Sequence, residues 1–182
     1  IPREIPILLD AKRSDIGETQ KYYARAFFET WGVDAVTLNP FLGYDSVEPF
    51  LGYEGKGLYL LAVTSNPGAA DIEKRRLADG RRVFELVGDM ARRAAGSAAD
   101  VGFVVGLTNA DPDILPALPD APLLVPGLGA QGGDINALRD SGRTSPVLVN
   151  VSRGVLFPPA GESVASAAAR WQQTVETGLS RP

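Results

Sequence analysis

The sequence predicts an α/β protein assembled from repeated βα units around a parallel sheet. Three observations carry this expectation. Six short apolar stretches, rich in Val, Leu and Ile, recur along the chain. Segments with helical spacing of apolar residues separate them. Each apolar stretch is followed by polar, Gly or Pro residues. Strands apolar on both faces suit a parallel sheet buried between helices. The C-terminal ends of such strands are where α/β folds place their sites.

The elements follow in chain order. Ile7-Leu8-Leu9 reads as a buried strand that runs into polar Asp10-Ala11-Lys12-Arg13. Residues 19–30 place Tyr22, Tyr23, Ala26 and Phe27 at helical spacing, with Gly32 as the C-cap. Residues 34–38 form the second strand, stopped by Asn39-Pro40, and residues 44–51 a short helix with Asp45 and Ser46 near its start. The third strand covers residues 57–63 and ends at Thr64-Ser65-Asn66-Pro67-Gly68. An Arg- and Ala-rich helix is expected over 83–95, a strand over 101–105, and a short helix over 111–118 with Pro112 in its first turn. A strand over 123–125, a helix over 134–140 and a strand over 146–151 continue the alternation. The last helix, 161–177, carries apolar Val164, Ala168, Trp171 and Val175. Arg75, Arg76, Arg81, Arg82, Arg92 and Arg93 are expected on a solvated face. Trp31 and Trp171 are expected in the core or at a subunit interface. No linker or charge block marks a boundary, so residues 1–182 read as one domain. Six βα units suit either an open doubly wound sheet or part of an eight-unit barrel.

Composition narrows the chemistry. The 182 residues are 45% apolar and 22% charged, enough for a sizeable core. With no His and no Cys in the chain, a Ser-His-Asp or Cys-His nucleophile and a Cys/His zinc site are excluded. General acid–base work falls to Asp, Glu, Lys or Tyr. A net charge of −4 argues against a broad basic surface for nucleic acid. The absence of cysteine excludes a disulfide scaffold and fits a reducing, cytoplasmic compartment. No apolar run approaches the roughly 18 residues that span a membrane.

Three strand ends carry candidate chemistry. Asp10 and Lys12 stand two apart at the end of the first strand, so period-2 geometry sets them side by side. Asp15 lies beyond, in the loop. Opposite charges favour the ammonium form of the lysine. A lysine so held is a poor Schiff-base nucleophile and a good proton donor to a developing carbanion. Residues 125–134, Val-Pro-Gly-Leu-Gly-Ala-Gln-Gly-Gly-Asp, contain G-x-G-x-x-G after a strand and before a helix. The next strand ends in Ser152-Arg153-Gly154, without the acidic residue that takes a ribose hydroxyl in dinucleotide sites. A glycine-rich loop followed by Arg-Gly instead describes a phosphate cradle, since backbone N–H groups approach an anion closely where no Cβ intervenes. Ser65 and Asn66 offer hydrogen bonds to a planar polar ring.

With these motifs placed, the chain resembles the orotidine 5′-phosphate decarboxylase family in its longer bacterial form. The resemblance rests on D-A-K-R-S-D-I-G at 10–17, S-N-P-G at 65–68, P-G-L-G-A-Q-G-G-D at 126–134 and S-R-G at 152–154. It implies a (β/α)8 TIM barrel, of which strands 3 to 8 are present here. It implies a homodimer, cofactor-free and metal-free decarboxylation of orotidine 5′-phosphate to UMP, and no nucleic-acid or membrane partner. By the same resemblance Asp10, Lys12 and Asp15 are the catalytic residues: Asp10 and Lys12 belong to the charge network, with Lys12 protonating C6 and Asp10 against the substrate carboxylate, and Asp15 lies near the ribose. Asp15, Ile16 and Thr19 would reach the neighbouring subunit's site. Ser65 would bond the pyrimidine and Pro126 would line the pocket. Gln131, Gly133, Arg153 and Gly154 would hold the phosphate.

The resemblance also implies an aspartate and a second lysine from two βα units ahead of Ile1. The native chain is therefore expected to be longer, and a chain truly without them is expected to be inactive. Two alternatives stay open. One is a related sugar-phosphate decarboxylase or aldolase, which would require Mg²⁺. The other is an inactive phosphate- or nucleotide-binding barrel.

Overall fold

The computed structural model describes residues 1–107, 111–128 and 135–180. Six strands form one parallel sheet: β1 (Leu8–Arg13), β2 (Ala35–Leu38), β3 (Gly57–Val63), β4 (Asp100–Val105), β5 (Leu123–Pro126) and β6 (Val147–Asn150). Their spatial order is β1-β2-β3-β4-β5-β6. A doubly wound sheet reverses its order at a switch point, whereas a βα barrel adds each strand beside the last. The sequential order therefore selects the barrel architecture over the open sheet.

Both faces of the central strands are buried, as the apolar strand pattern requires, while at the edge strand β6 the inner-face Leu148 is exposed. Along β3, Leu58 and Leu60 face outward with Val36, Leu38, Phe103, Leu123 and Val125 to make the main core. Tyr59 faces the other way and meets Val104 and Leu124, with Leu8, Ala35 and Leu61 against them. Period-2 alternation thus continues the inner face from Leu8 to Asp10.

The helices lie mostly where expected. They are α1 (Gly17–Arg25), α2 (Val83–Arg93), α3 (Ile114–Ala117), α4 (Ile135–Asp140), α5 (Arg153–Leu156) and α6 (Val164–Leu179). The Gly32 C-cap is present in left-handed geometry, φ 68°.

Several expectations need correction. The helix expected over 19–30 stops being α-helical at Arg25 and continues as a π-helical turn, Ala26–Thr30, closed by Trp31 N–H donating to the Ala26 carbonyl at 2.9 Å. The helix expected over 44–51 is instead two 3₁₀ turns, Tyr44–Ser46 and Glu48–Phe50, with Pro49, which lacks an N–H to donate, inside the second. On α6 the buried residue is Ala167, with Trp171 and Val175 half-buried on its side, while Val164 and Ala168 are exposed. The inward stripe runs i, i+4, i+8 from Ala167 rather than from Val164. Arg82 is not on a solvated face: it is 7% exposed, ion-paired to Asp113 at 3.0 Å and Asp111 at 3.4 Å, and stacked on Phe84. Trp31, by contrast, is largely exposed. No helix among the described residues is long and apolar enough to cross a membrane.

Candidate functional site

The C-terminal ends of β1, β3, β5 and β6 converge on one polar cavity of about 240 Å³. Asp10, Ser65, Pro126, Gly127, Asn150 and Arg153 line it, together with Leu128, Ser152 and Gly154. Residues as far apart in sequence as Asp10 and Gly154 thus meet because the strands that carry them run parallel and end on the same side.

The charged end is built on β1. The pairing of β1 with β2 shifts register between Leu9 and Arg13. Within that bulge Lys12 adopts φ 45°, the one left-handed non-glycine among the described residues. Such geometry costs on the order of 1 kcal/mol or more and is held only by its surroundings. Thr37, fully buried on β2, supplies the hold: its Oγ1 accepts the Lys12 N–H at 2.8 Å and donates to Asp10 Oδ1 at 2.8 Å. The Lys12 ammonium donates to Asp10 Oδ2. Partial burial pushes the Asp10 carboxyl up, but the hydrogen bonds from Lys12 and Thr37 and the Lys12 charge outweigh it and hold Asp10 below the usual carboxylate range. The result is an ionised Asp10 carboxylate in the cavity wall that holds the Lys12 ammonium, itself outside the lining, an arrangement suited to delivering a proton to a carbanion.

Ser65 is placed from two sides. Gly106, at the end of β4, donates its N–H to the Val63 carbonyl at 2.7 Å, and a Cβ there would stand 2.7 Å from Ser65 N. On the outer side the Glu73 carboxylate accepts the Thr64 N–H at 2.7 Å and the Thr64 hydroxyl at 2.9 Å. The close approach of Gly106 and the Glu73 clamp fix the turn that presents Ser65.

The opposite end is built after β6. Arg153 has no carboxylate partner among the described residues, although Asp10 and Asn150 line the same cavity. The Ser152 hydroxyl donates to Asn150 Oδ1 at 3.0 Å. The Gly154 carbonyl accepts the Trp171 indole N–H at 3.1 Å.

Asp15, Ile16 and Thr19 do not line this cavity. Asp15 accepts the Ile16 N–H at 2.9 Å, and Ile16 is 67% exposed. Gln131 and Gly133 lie outside the described residues, as does most of the G-x-G-x-x-G segment; Gly127 stands within them at φ 86°. Thr37, Glu73, Gly106 and Asn150 were not anticipated. Only Asn150 carried a signal, as a polar residue closing an apolar strand. A second cavity, about 540 Å³ and mainly apolar, lies between the ends of β2 and β3 and helix α2, with Phe41, Ile72, Phe84 and Met90 in its walls. Its acidic residue, Glu73, is already engaged by Thr64.

The family model for orotidine 5′-phosphate decarboxylase / HUMPS matches residues 2–168. An orotidine 5′-phosphate decarboxylase of Roseiflexus castenholzii is 48% identical over 168 residues, covering 90% of this chain and 62% of its own length. One of Delftia acidovorans is 46% identical over 171 residues, again covering 90% and 62%. Among solved structures, the Leishmania donovani UMP synthase superposes with a TM-score of 0.80 at 36% identity, over 98% of this chain and 40% of its own. The Leishmania donovani OMP decarboxylase superposes with a TM-score of 0.78 at 34% identity, over 99% and 71%. The chain therefore spans a little under two thirds of the length of these curated relatives.

Proposed function

The chain belongs to the orotidine 5′-phosphate decarboxylase / HUMPS family, and from that premise we propose that it decarboxylates orotidine 5′-phosphate to UMP without cofactor or metal. One observation carries the reading: Asp10, which holds the Lys12 ammonium, lines the same cavity as Ser65 and Arg153, an arginine with no carboxylate partner among the described residues. A nucleotide monophosphate needs these groups together, an anion site at one end and a proton source at the reacting carbon.

In this reading Arg153, with the Gly154 N–H, takes the phosphate. Gln131 and Gly133 complete that grip. Ser65 bonds the pyrimidine and Pro126 closes the pocket beside it. The substrate carboxylate lies against Asp10, whose ionised form disfavours it. The C6–carboxylate bond breaks, carbon dioxide leaves, and the electron pair left on C6 takes a proton from the Lys12 ammonium. Lys12 thus stabilises the developing carbanion and then quenches it. The phosphate is remote from C6, so its binding energy can hold the carboxylate near Asp10.

Residues 1–182 belong to one barrel domain, of which they supply six βα units, in a cytoplasmic homodimer, with Asp15, Ile16 and Thr19 serving the neighbouring subunit's site. In support, successive loops after β1, β2 and β3 expose large apolar side chains: Ile16 at 67%, Phe41 at 72% and Ile72 at 50%.

The test is spectrophotometric. Loss of orotidylate absorbance, insensitive to EDTA and abolished by Lys12→Ala, supports the reading. Turnover that requires Mg²⁺ would move the chain to the sugar-phosphate branch. Tight UMP binding without turnover would make it a nucleotide-binding barrel.

A further inference from the structure

Trp171 reaches the candidate site from behind. It lies on the inward stripe of α6, whose start is capped by Ser163 Oγ accepting the Ser166 N–H at 3.1 Å. One residue earlier, Arg170 makes two parallel bonds to Glu162, each 2.9 Å, and its guanidinium lies 5.4 Å from the Trp171 ring centroid. The indole is therefore held on its own helix before it meets anything else. Its N–H donates to the Gly154 carbonyl at 3.1 Å.

The contact is closer than any side chain at 154 would allow. A Cβ on Gly154 would stand 2.6 Å from Trp171 Nε1 and 2.9 Å from Cε2. The Gly154 backbone thus packs directly against the indole. The sequence suggests that glycine stands here so that an anion can approach the backbone; the structure adds a second reason, since only glycine lets the backbone approach the tryptophan. Arg153, one residue away, lines the cavity on the other side.

We propose that Trp171 is a positioning residue for the anion-binding end of the cavity. Its N–H fixes the Gly154 carbonyl, and through the backbone of Gly154 sets where the Gly154 N–H and the Arg153 guanidinium of the preceding residue meet the phosphate. The proposal rests on the reading of Arg153 and Gly154 as phosphate-holding. Helix α6 thereby becomes part of the substrate grip without touching the substrate.

Trp171→Phe keeps a ring and removes the donor. The expected result is a three- to tenfold loss of UMP affinity, about the effect of one neutral hydrogen bond, with uridine affinity unchanged. KM for orotidine 5′-phosphate should rise by the same factor while kcat moves by less than about twofold, the pattern of a lost uniform binding interaction. A role in packing alone would weaken UMP and uridine alike, and that outcome overturns the proposal. Wild-type protein that binds uridine as tightly as UMP overturns the phosphate reading itself; wild type that prefers UMP beside a Phe variant with the same preference overturns the role of Trp171 alone. A second measurement does not depend on that variant folding. The chain has two tryptophans, and Trp31 is exposed. In a Trp31→Phe protein the fluorescence of Trp171 should shift on adding UMP or inorganic phosphate and stay constant with uridine. A signal that does not move at UMP saturation overturns the proposal.

Discussion

The two ends of the same sheet treat their polar groups in opposite ways. At the N-terminal ends of the strands the chain answers itself. Asp34, ahead of β2, accepts the Ile7 N–H at 2.8 Å, and Lys56, ahead of β3, donates to the Val33 carbonyl at 2.8 Å. Arg143, ahead of β6, spreads its guanidinium over the carbonyls of Leu115, Leu118, Pro119 and Ala121. Asp120, ahead of β5, takes the N–H groups of Thr144 and Ser145. At the C-terminal ends, Asp10, Ser65, Asn150 and Arg153 face a cavity instead. One end is closed by its own hydrogen bonds and serves stability. The other keeps polar groups available for a ligand and accepts a strained backbone at Lys12 to do so.

Substitutions at the two ends should therefore fail differently. On the proposed mechanism the largest effect is expected from Lys12→Ala: a drop in kcat of roughly a thousandfold or more, from loss of proton donor and cation together, with the unfolding midpoint nearly unchanged. Residual activity near wild type would erase the distinction at its strongest point. Next comes Arg143→Met at the closed end. Its side chain is 7% exposed, and removal strands several buried carbonyls, so denaturant unfolding should show a loss of about 2–4 kcal/mol. UMP affinity per folded molecule should stay constant; a variant that unfolds normally but loses UMP would merge the two ends.

Thr37→Val tests the support beneath the proposed catalytic pair. It keeps the shape and removes the hydroxyl shared by Asp10 and the Lys12 N–H. A loss of kcat of about tenfold with KM little changed is expected. Unaltered kinetics would mean that β1 holds Lys12 without β2.

The smallest effect concerns acid. Hydrogen bonds from the Thr144 backbone and hydroxyl, with those from Ser145, outweigh desolvation and lower the Asp120 carboxyl from 3.8 to about 2. A carboxyl lowered in the folded state stabilises it above the unfolded value and loses that contribution as pH falls through the folded one. Stability should thus decline between about pH 4 and pH 2, and Asp120→Asn should flatten part of that decline. An acid profile as steep in the variant as in the wild type would remove Asp120 from the account. Asp10 is lowered in the same direction, so some slope remains in either protein.

How much of this was legible beforehand differs by element. Strand β3 ran over the residues its unbroken apolar run indicates, bounded by Gly57 and Thr64. The start of α2 was marked by its periodicity, and Gly32 by its place after a helix. The 3₁₀ turns after β2 were harder to read, because spacing alone does not separate them from an α-helix interrupted at Pro49. The buried stripe of α6 was misplaced because a run of alanines, Ala165 and Ala167–Ala169, gives periodicity little contrast. At the site, Asp10, Lys12, Ser65 and Arg153 announced themselves as polar groups after apolar strands. Thr37 and Gly106 did not, since a Thr within a strand and a Gly at its end are ordinary there. Their roles exist only across the sheet, with Thr37 reaching Asp10 from 27 residues away.

The sequence by itself determined the alternation of elements and the chemical kind of each strand end, because helical periodicity, strand apolarity and turn residues act over a few neighbouring positions. Tertiary structure alone decided the strand order, which makes the sheet a barrel type rather than doubly wound. It also decided that the ends of β1, β3, β5 and β6 share a single cavity. Those outcomes depend on which distant segments pair and pack, and no local pattern records a distance between residues far apart in the chain.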